Sequence, residues 1–208
     1  MHWTAEECYL AGLLWTDGCV SITAGYSVGS ISLDMTDEEA VASAAAIAGC
    51  GYRRTERGTG RKPIFRMQFG HRAAVSRIFA AGIAEPKLTT RPWPDLPHPA
   101  SFMRGAFDGD GTVRSFYQHF RKNGREYVNR KRTLISQFCG NGRFLEGMQQ
   151  FLGTQGISHK NTYPIKGGIY GICWAKYDSL RLAQIMYSEQ GPFIARKKDG
   201  FRLAPEDV

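Results

Sequence analysis

Two stretches of this chain depart from ordinary helix design in the same two ways and in the same order. Leu10-Ala11-Gly12-Leu13-Leu14-Trp15-Thr16-Asp17-Gly18 and Met103-Arg104-Gly105-Ala106-Phe107-Asp108-Gly109-Asp110-Gly111 each carry a glycine in mid-helix and an aspartate at the C-terminal end. The glycine costs ~1 kcal/mol relative to alanine, and a carboxylate at the negative end of the helix dipole a further ~0.3–1 kcal/mol. One Asp-Gly after an amphipathic helix is ordinarily a turn. The same departure at equivalent points of an internal repeat signals a gain elsewhere, and it constrains the chain to a duplicated architecture.

The remaining punctuation agrees. Five of the nine prolines fall at Pro86, Pro92, Pro94, Pro97 and Pro99, which excludes helix or central strand and reads as an extended linker. Residues 1–85 form a first repeat, 86–98 the linker and 99–208 a second repeat. In the first, a capping box at Thr4-Ala5-Glu6-Glu7 opens a helix to Gly18. An alternating strand at Val20 to Ala24 turns near Gly29 into Ile31 to Met35. A second capping box, Thr36-Asp37-Glu38-Glu39, starts a helix to Gly49. Tyr52 to Thr55 and Pro63 to Phe69 flank a turn at Gly58-Thr59-Gly60, and Ala73 to Ala81 closes the unit as a helix. The second repeat predicts a helix from Pro99 to Gly111 and strands at Thr112 to Phe120 and Thr133 to Cys139 around a long basic hairpin. An Asn141-capped helix to Gly153, a hairpin of Ser158 to Tyr163 with Ile169 to Ala175, and a helix over Tyr177 to Tyr187 complete it. Both halves read α-β-β-α-β-β-α, an α+β chain of two pseudo-symmetric repeats.

The chain has 208 residues, 42% of them hydrophobic, enough for one large or two small cores. Lys+Arg 27 against Asp+Glu 19 gives a net charge of +8, which favours a polyanionic partner, nucleic acid first. All of the excess lies in residues 97–208, and two clusters stand out, Arg53 to Arg77 and Arg121 to Arg132. The five cysteines form no C-x-x-C pair and read as reduced thiols packed in a core. The five histidines show no metal-binding spacing. No stretch is long and apolar enough for a membrane span, and the acidic start is no signal peptide. The reading is therefore a soluble intracellular protein, cytoplasmic and nucleoid-associated or in an organelle matrix.

Small residues at Ala11, Gly12, Gly105 and Ala106 let the two repeated helices approach closely about a pseudo-two-fold axis, which brings Asp17 and Asp110 together. Adjacent carboxylates need a cation, and hard oxygen donors with room for water and phosphate suit Mg²⁺. Carboxylate-held metal activates water and stabilises an oxyanion in phosphodiester cleavage. The alternative of a calcium loop starting at Asp108 is weak, because its twelfth position is His119 rather than glutamate.

These paired segments resemble the motifs of the LAGLIDADG homing endonucleases in their single-chain, two-repeat form, over essentially the whole chain. Motif 1 departs at Trp15 and motif 2 at Arg104. The resemblance implies two antiparallel sheets forming a saddle over the major groove of double-stranded DNA at a long asymmetric site, with the motif helices at the interface. It implies a monomer whose two active sites each cut one strand to leave 3′ overhangs. The metals would be held by Asp17 and Asp110 with the backbone carbonyls of Thr16 and Gly109, Ca²⁺ supporting binding without cleavage. Gln68 fits the family's polar side chain beside the scissile phosphate. Its counterpart is Cys173, which cannot serve, leaving Lys176 as a shifted candidate.

In Pro63 to Phe69, alternation turns Phe65, Met67 and Phe69 to the core and Ile64, Arg66 and Gln68 outward, where Arg and Gln suit readout of guanine and adenine edges. Arg53, Arg57, Arg61 and Lys62 around one hairpin, and Arg121, Lys122, Arg125, Arg130, Lys131 and Arg132 around the other, should grip phosphate. Arg114, Gln118, Lys160 and Lys166 belong with them, as do the outward Ser21 and Thr23. Lys87 and the basic run Arg196-Lys197-Lys198 follow the last helix of each half, where they also complement a helix C-terminus. A non-cleaving nucleic-acid binder on the same fold, either an intron maturase taking intron RNA or a transcriptional regulator, is the alternative. An intein-embedded nuclease is disfavoured by the lack of a splicing nucleophile at Met1-His2 and of a His-Asn pair at Asp207-Val208.

Overall fold

The computed structural model describes residues 2–22, 29–70, 72–83 and 91–203. The first half runs α1 (Ala5–Asp17), β1 (Gly18–Ile22), β2 (Gly29–Met35), α2 (Glu38–Ala48), β3 (Tyr52–Thr55), β4 (Ile64–Phe69) and α3 (Arg72–Ala80). The second runs α4 (Pro99–Asp110), β5 (Thr112–Lys122), β6 (Arg125–Asn141), α5 (Gly142–Thr154), β7 (Tyr163–Lys166), β8 (Ile169–Ala175) and α6 (Lys176–Met186), followed by a short α7 (Ala195–Asp199). Each half holds one four-stranded antiparallel sheet, ordered β1-β2-β4-β3 and β5-β6-β8-β7. The α+β class and the repeated element order are those the sequence implies, with α7 added.

Local chemistry explains the elements. Thr4 caps α1 in a reciprocal box, its Oγ1 accepting from Glu7 N at 3.1 Å while Thr4 N donates to the Glu7 carboxylate at 2.8 Å. The second expected box does not form. Asp37, not Thr36, is the N-cap of α2, and it makes no side-chain cap because its carboxylate is bound by Arg196. Gly49 ends α2 at φ 66°, and Asn141 caps α5 by accepting from Phe144 N at 2.9 Å. The basic hairpin is strand nearly to its tip, with one shift of register between Tyr117 and His119. Asn123 (φ 49°) and Gly124 (φ 77°) close it as a two-residue turn, so β5 and β6 extend well beyond the expected ends. Ser158 to Asn161 is not strand.

Helices α1 and α4 lie at the centre, buried from Cys8 to Thr16 and from Ser101 to Asp108. A Cβ on Gly12 would run into the backbone of Phe102 and Ala106, and one on Gly105 into the backbone of Tyr9 and Leu13. The two helices therefore touch main chain to main chain, which no larger residue permits. Trp15 stacks on Phe144 of α5 with ring centroids 3.7 Å apart. Of the linker, residues 91–98 are described. Trp93 packs edge-on against Phe102 at 5.1 Å and covers Gly147, so this segment is anchored in the second half's core. Only Cys8 among the thiols is buried. Cys19 is exposed and Cys50, Cys139 and Cys173 are half-buried, which corrects the expectation of core packing. Among the described residues no helix is long and apolar enough to cross a membrane.

Candidate active site and nucleic-acid interface

Asp17 and Asp110 are the last residues of α1 and α4, and each is followed directly by the first strand of its half. The close helix approach continues to this end. A Cβ on Gly109 would collide with the Thr16 hydroxyl and lie 2.5 Å from Asp17 Oδ2, so the backbone of one motif is pressed against the carboxylate of the other. Asp17 and Gly109 share a cleft of about 350 Å³ with Asp34, Asp37, Arg57 and Arg196. The Thr16 hydroxyl folds back onto its own helix, donating to Leu13 O at 3.0 Å. Among the described residues no group of three or more His, Cys, Asp or Glu side chains gathers as a ready metal site. The donors on offer are single carboxylates beside backbone carbonyls, a hard-oxygen set that leaves positions for phosphate and water and so fits Mg²⁺ or Ca²⁺.

The C-terminal end of α4 is held from an unexpected direction. Lys197, on α7, is buried and its Nζ donates to the carbonyls of Phe107 (2.8 Å), Asp108 (2.5 Å), Gly109 (3.1 Å) and Gly111 (2.9 Å). It thus satisfies the orphan carbonyls that every helix leaves at its end. Burial pushes its ammonium down to about 8, against the opposing pull of Asp108. The basic run does complement a helix C-terminus, but that of α4 rather than of the preceding α6. The same short segment ties the halves together: Arg196 makes a bidentate pair with Asp37 at 2.7 and 2.6 Å, and Ala195 N donates to Glu39 at 2.9 Å.

The sixth positions of the two repeated segments differ. Trp15 fills the first with aromatic packing, whereas Asp108 is 1% exposed and accepts from Tyr9 Oη and from Ile194 N, both at 2.9 Å. Burial pushes the Asp108 carboxyl up to about 6, opposed by those two hydrogen bonds and by the Lys197 and Arg104 charges. Arg104 occupies the family's small-residue position as a buried cation. Its guanidinium donates to Met186 O and Glu189 O at 3.2 and 2.7 Å and lies over the Tyr9 ring at 5.7 Å.

The sheets place the other expected residues unequally. Arg66 and Gln68 are exposed on β4 as alternation implies, and line a cleft of about 260 Å³ with Tyr52 and Arg53. Arg66 is held bidentately by Asp34 on the neighbouring strand, so that pair is presented together. Arg57 enters the Asp17 cleft, while Arg61 and Lys62 are exposed in the β3–β4 turn. Arg114, Gln118, Arg121, Lys122, Arg125, Lys131 and Arg132 all lie exposed on the β5–β6 hairpin, and Arg132 reaches over the Tyr117 ring at 5.7 Å. Lys166 is exposed at the end of β7. Lys160 is elsewhere, in an ion pair with Asp178 of α6 at 2.6 Å. Thr23 and Lys87 lie outside the described residues, as do the side chains of Ser21 and Arg130.

Register identifies a residue that reasoning from sequence missed. Gly18 lies opposite Leu33, and Leu33 opposite Met67. In the second half Thr112 lies opposite Gln137, one step from the Gly111 position, and Phe138 lies opposite Ile172. Gln68 and Cys173 are therefore equivalent, as the repeat alignment has them, and their cross-strand partners Ser32 and Gln137 are equivalent too. The second half keeps an amide at this rung, moved one strand over, where it hydrogen-bonds Cys173. Lys176 instead begins α6, with its ammonium 5.6 Å from the Tyr177 ring centroid. Only strand pairing, which a single sequence does not print, could have shown the exchange.

No protein-family model matches the chain, and no curated protein sequence does. Solved structures do. The I-SmaMI LAGLIDADG homing endonuclease bound to cleaved DNA superposes with a TM-score of 0.59 at 11% identity over 95% of this chain and 86% of its own. I-SmaMI bound to an uncleaved DNA target in the presence of calcium ions gives 0.57 and 11% over 91% and 86%. The LAGLIDADG meganuclease I-AabMI bound to uncleaved DNA gives 0.62 and 9% over 92% and 86%. The fold of this chain is that of the two-repeat LAGLIDADG homing endonucleases, as the motif resemblance implies.

Proposed function

We propose that this protein is a member of the LAGLIDADG family and a site-specific double-strand DNA endonuclease that uses a divalent cation, Mg²⁺ in the working state, on a long asymmetric target. The observation that carries the reading is the placement of Asp17 and Asp110 at the C-terminal ends of two helices in main-chain contact, with the Gly109 backbone against the Asp17 carboxylate. Carboxylates at both helix ends would repel phosphate in a protein that only bound nucleic acid, whereas a cation held there turns that repulsion into attraction.

In this reading Asp17 with the Gly109 carbonyl, and Asp110 with the Thr16 carbonyl, hold the cation. When bound, it supplies a water of lowered pKa and neutralises charge on the leaving oxygen. Lys197 keeps the Gly109 carbonyl in place and adds fixed positive charge near Asp17. Arg57 and Arg196, lining the Asp17 cleft, receive a phosphate. Gln68 in the first half and Gln137 in the second orient water beside the scissile group, a role that passes from Lys176 to Gln137. The hairpin lysines and arginines supply phosphate contacts and groove readout. The protein acts as a monomer, one active site per strand, and leaves 3′ overhangs.

The test is a cleavage selection on a randomised plasmid library with Mg²⁺, run beside Ca²⁺. Recovery of one long site with staggered ends in Mg²⁺, and retention without cleavage in Ca²⁺, is the expected result. Retention of one long sequence with no cut in either ion would instead make the chain a binder, an intron maturase or a regulator.

A further inference from the structure

The β5–β6 hairpin carries more exposed aromatic surface than its own folding needs. Beyond Ile135, where β8 stops pairing, it continues as a two-stranded ribbon through to Lys122 and Arg125. Phe116, Tyr117, Phe120 and Tyr127 are exposed along it, and Phe120 and Tyr127 stack with centroids 5.5 Å apart and planes 14° from parallel.

Strand alternation sorts these groups by face. Leu134, Ser136 and Phe138 are buried against the helices, and with them go their cross-strand partners Ser115 and Val113. The opposite face begins beside Asp110 with Thr112 facing Gln137 and continues with Arg114 facing Ile135 and Phe116 facing Thr133. The register then shifts between Tyr117 and His119, where three residues of β6 span one of β5, an even insertion that keeps the same residues on this face; there Asn129 Nδ2 donates to Gln118 Oε1 at 3.2 Å, and beyond it Phe120 faces Tyr127 and Lys122 faces Arg125 at the tip. Aromatic side chains at Phe116 and at the Phe120–Tyr127 rung are thus separated by the polar Gln118–Asn129 pair, on a face that is basic at its end.

Successive same-face rungs stand ~6.8 Å apart, close to two base-pair steps of ~3.4 Å. From Thr112 to Lys122 the ribbon covers ~34 Å, about one turn of duplex. In the major groove the one apolar feature on a base edge is the thymine 5-methyl group, which aromatic and aliphatic side chains contact.

Resting on the endonuclease reading above, we propose that the C-terminal half-site is read partly through thymine methyl groups, by Phe116 about four base-pair steps from Thr112 and by the Phe120–Tyr127 pair about eight. The Gln118–Asn129 pair between them takes a hydrogen-bonding base edge. The surrounding Arg121, Lys122, Arg125 and Arg132 anchor phosphates and supply the attraction that an aromatic patch alone lacks. Among the described residues, β5 and β6 are eleven and seventeen residues long, against five and seven for β1 and β2.

The experiment removes single methyl groups from the DNA rather than side chains from the protein. On the target recovered by selection, each thymine of the C-terminal half-site is replaced in turn by deoxyuridine, and binding is measured in Ca²⁺. About fourfold weaker binding per methyl is expected at two clusters of positions about four steps apart, on the scale of one buried carbon group. Phe120→Ser with Tyr127→Ser should abolish the outer effect and leave the inner one, while Phe116→Ser should do the reverse. The mutual independence of the two effects shows that neither variant has collapsed the ribbon. Uniform insensitivity to deoxyuridine, absence of thymine at both clusters, or deoxyuridine effects that persist in the serine variants would overturn the proposal. Failure of the wild-type protein to select any site would overturn the endonuclease reading instead.

Discussion

The phenol of Tyr9, on α1, donates to Oδ2 of Asp108, on α4, at 2.9 Å across the two helices that carry the repeated motifs. It is a buried hydrogen bond between the halves of the molecule. Tyr9→Phe leaves that oxygen with the donor Ile194 N and should lower stability by ~1–3 kcal/mol. Gly12→Ala should cost more, because its Cβ would meet backbone atoms that cannot swing aside. Denaturant unfolding of both variants checks the order.

Lys197→Met should be more damaging than its surface-like sequence context suggests. The substitution keeps the aliphatic stem and removes the cation from four carbonyls at the end of α4, at a cost of ~2–4 kcal/mol. Cleavage should fall along with stability, since the Gly109 carbonyl loses its tether. Thermal unfolding and cleavage rate, measured on one preparation, test the coupling.

The repeat, the element order and both motif helices were legible because they are written in local signals: a capping box at Thr4, left-handed Gly49, the cap at Asn141, and alternation at Phe65, Met67 and Phe69. What sequence reasoning missed depends on non-local pairing. Lys197 is meaningful only once α7 folds back onto α4, and the same docking lets Arg196 take the carboxylate of Asp37, the residue that stands at the N-cap of α2 where the sequence suggests Thr36. Gln137 emerges only from the register of β6 against β5 and β8. Arg66 looks free in sequence, and finds Asp34 only because β2 and β4 are neighbours. The strands flanking the basic hairpin run longer than their apolar signals suggest, because the charged residues between Phe120 and Thr133 also pair, with one register shift, up to the Asn123-Gly124 turn.

The Asp37–Arg196 pair should make the docking of α7 acid-sensitive. The two hydrogen bonds from Arg196 hold the Asp37 carboxyl below its ordinary value despite partial burial. A depressed carboxyl contributes stability above its unfolded value of about 3.9, and loses it as pH falls through the folded one. The Arg196 side chain is 59% exposed, so the contribution is modest, ~1 kcal/mol or less. Arg196→Ala should flatten the stability profile below pH ~4 and lower stability slightly at neutral pH, as read by unfolding across pH.

Gln68→Ala and Gln137→Ala should slow opposite strands. Each variant is expected to accumulate a nicked intermediate, with about 10²-fold slower cutting of one strand, in the range that loss of a positioned group costs. Lys176→Ala should cut both strands at the wild-type rate. Strand-specific end labels on the selected target separate these outcomes.

The most direct test of the central claim is strand-resolved cleavage by Asp17→Asn and Asp110→Asn in Mg²⁺. If the two aspartates serve two active sites, each variant binds the target as the wild type does and either cuts one strand only, the two variants cutting opposite strands, or cuts neither strand. Unimpaired double-strand cleavage by either variant would contradict the account.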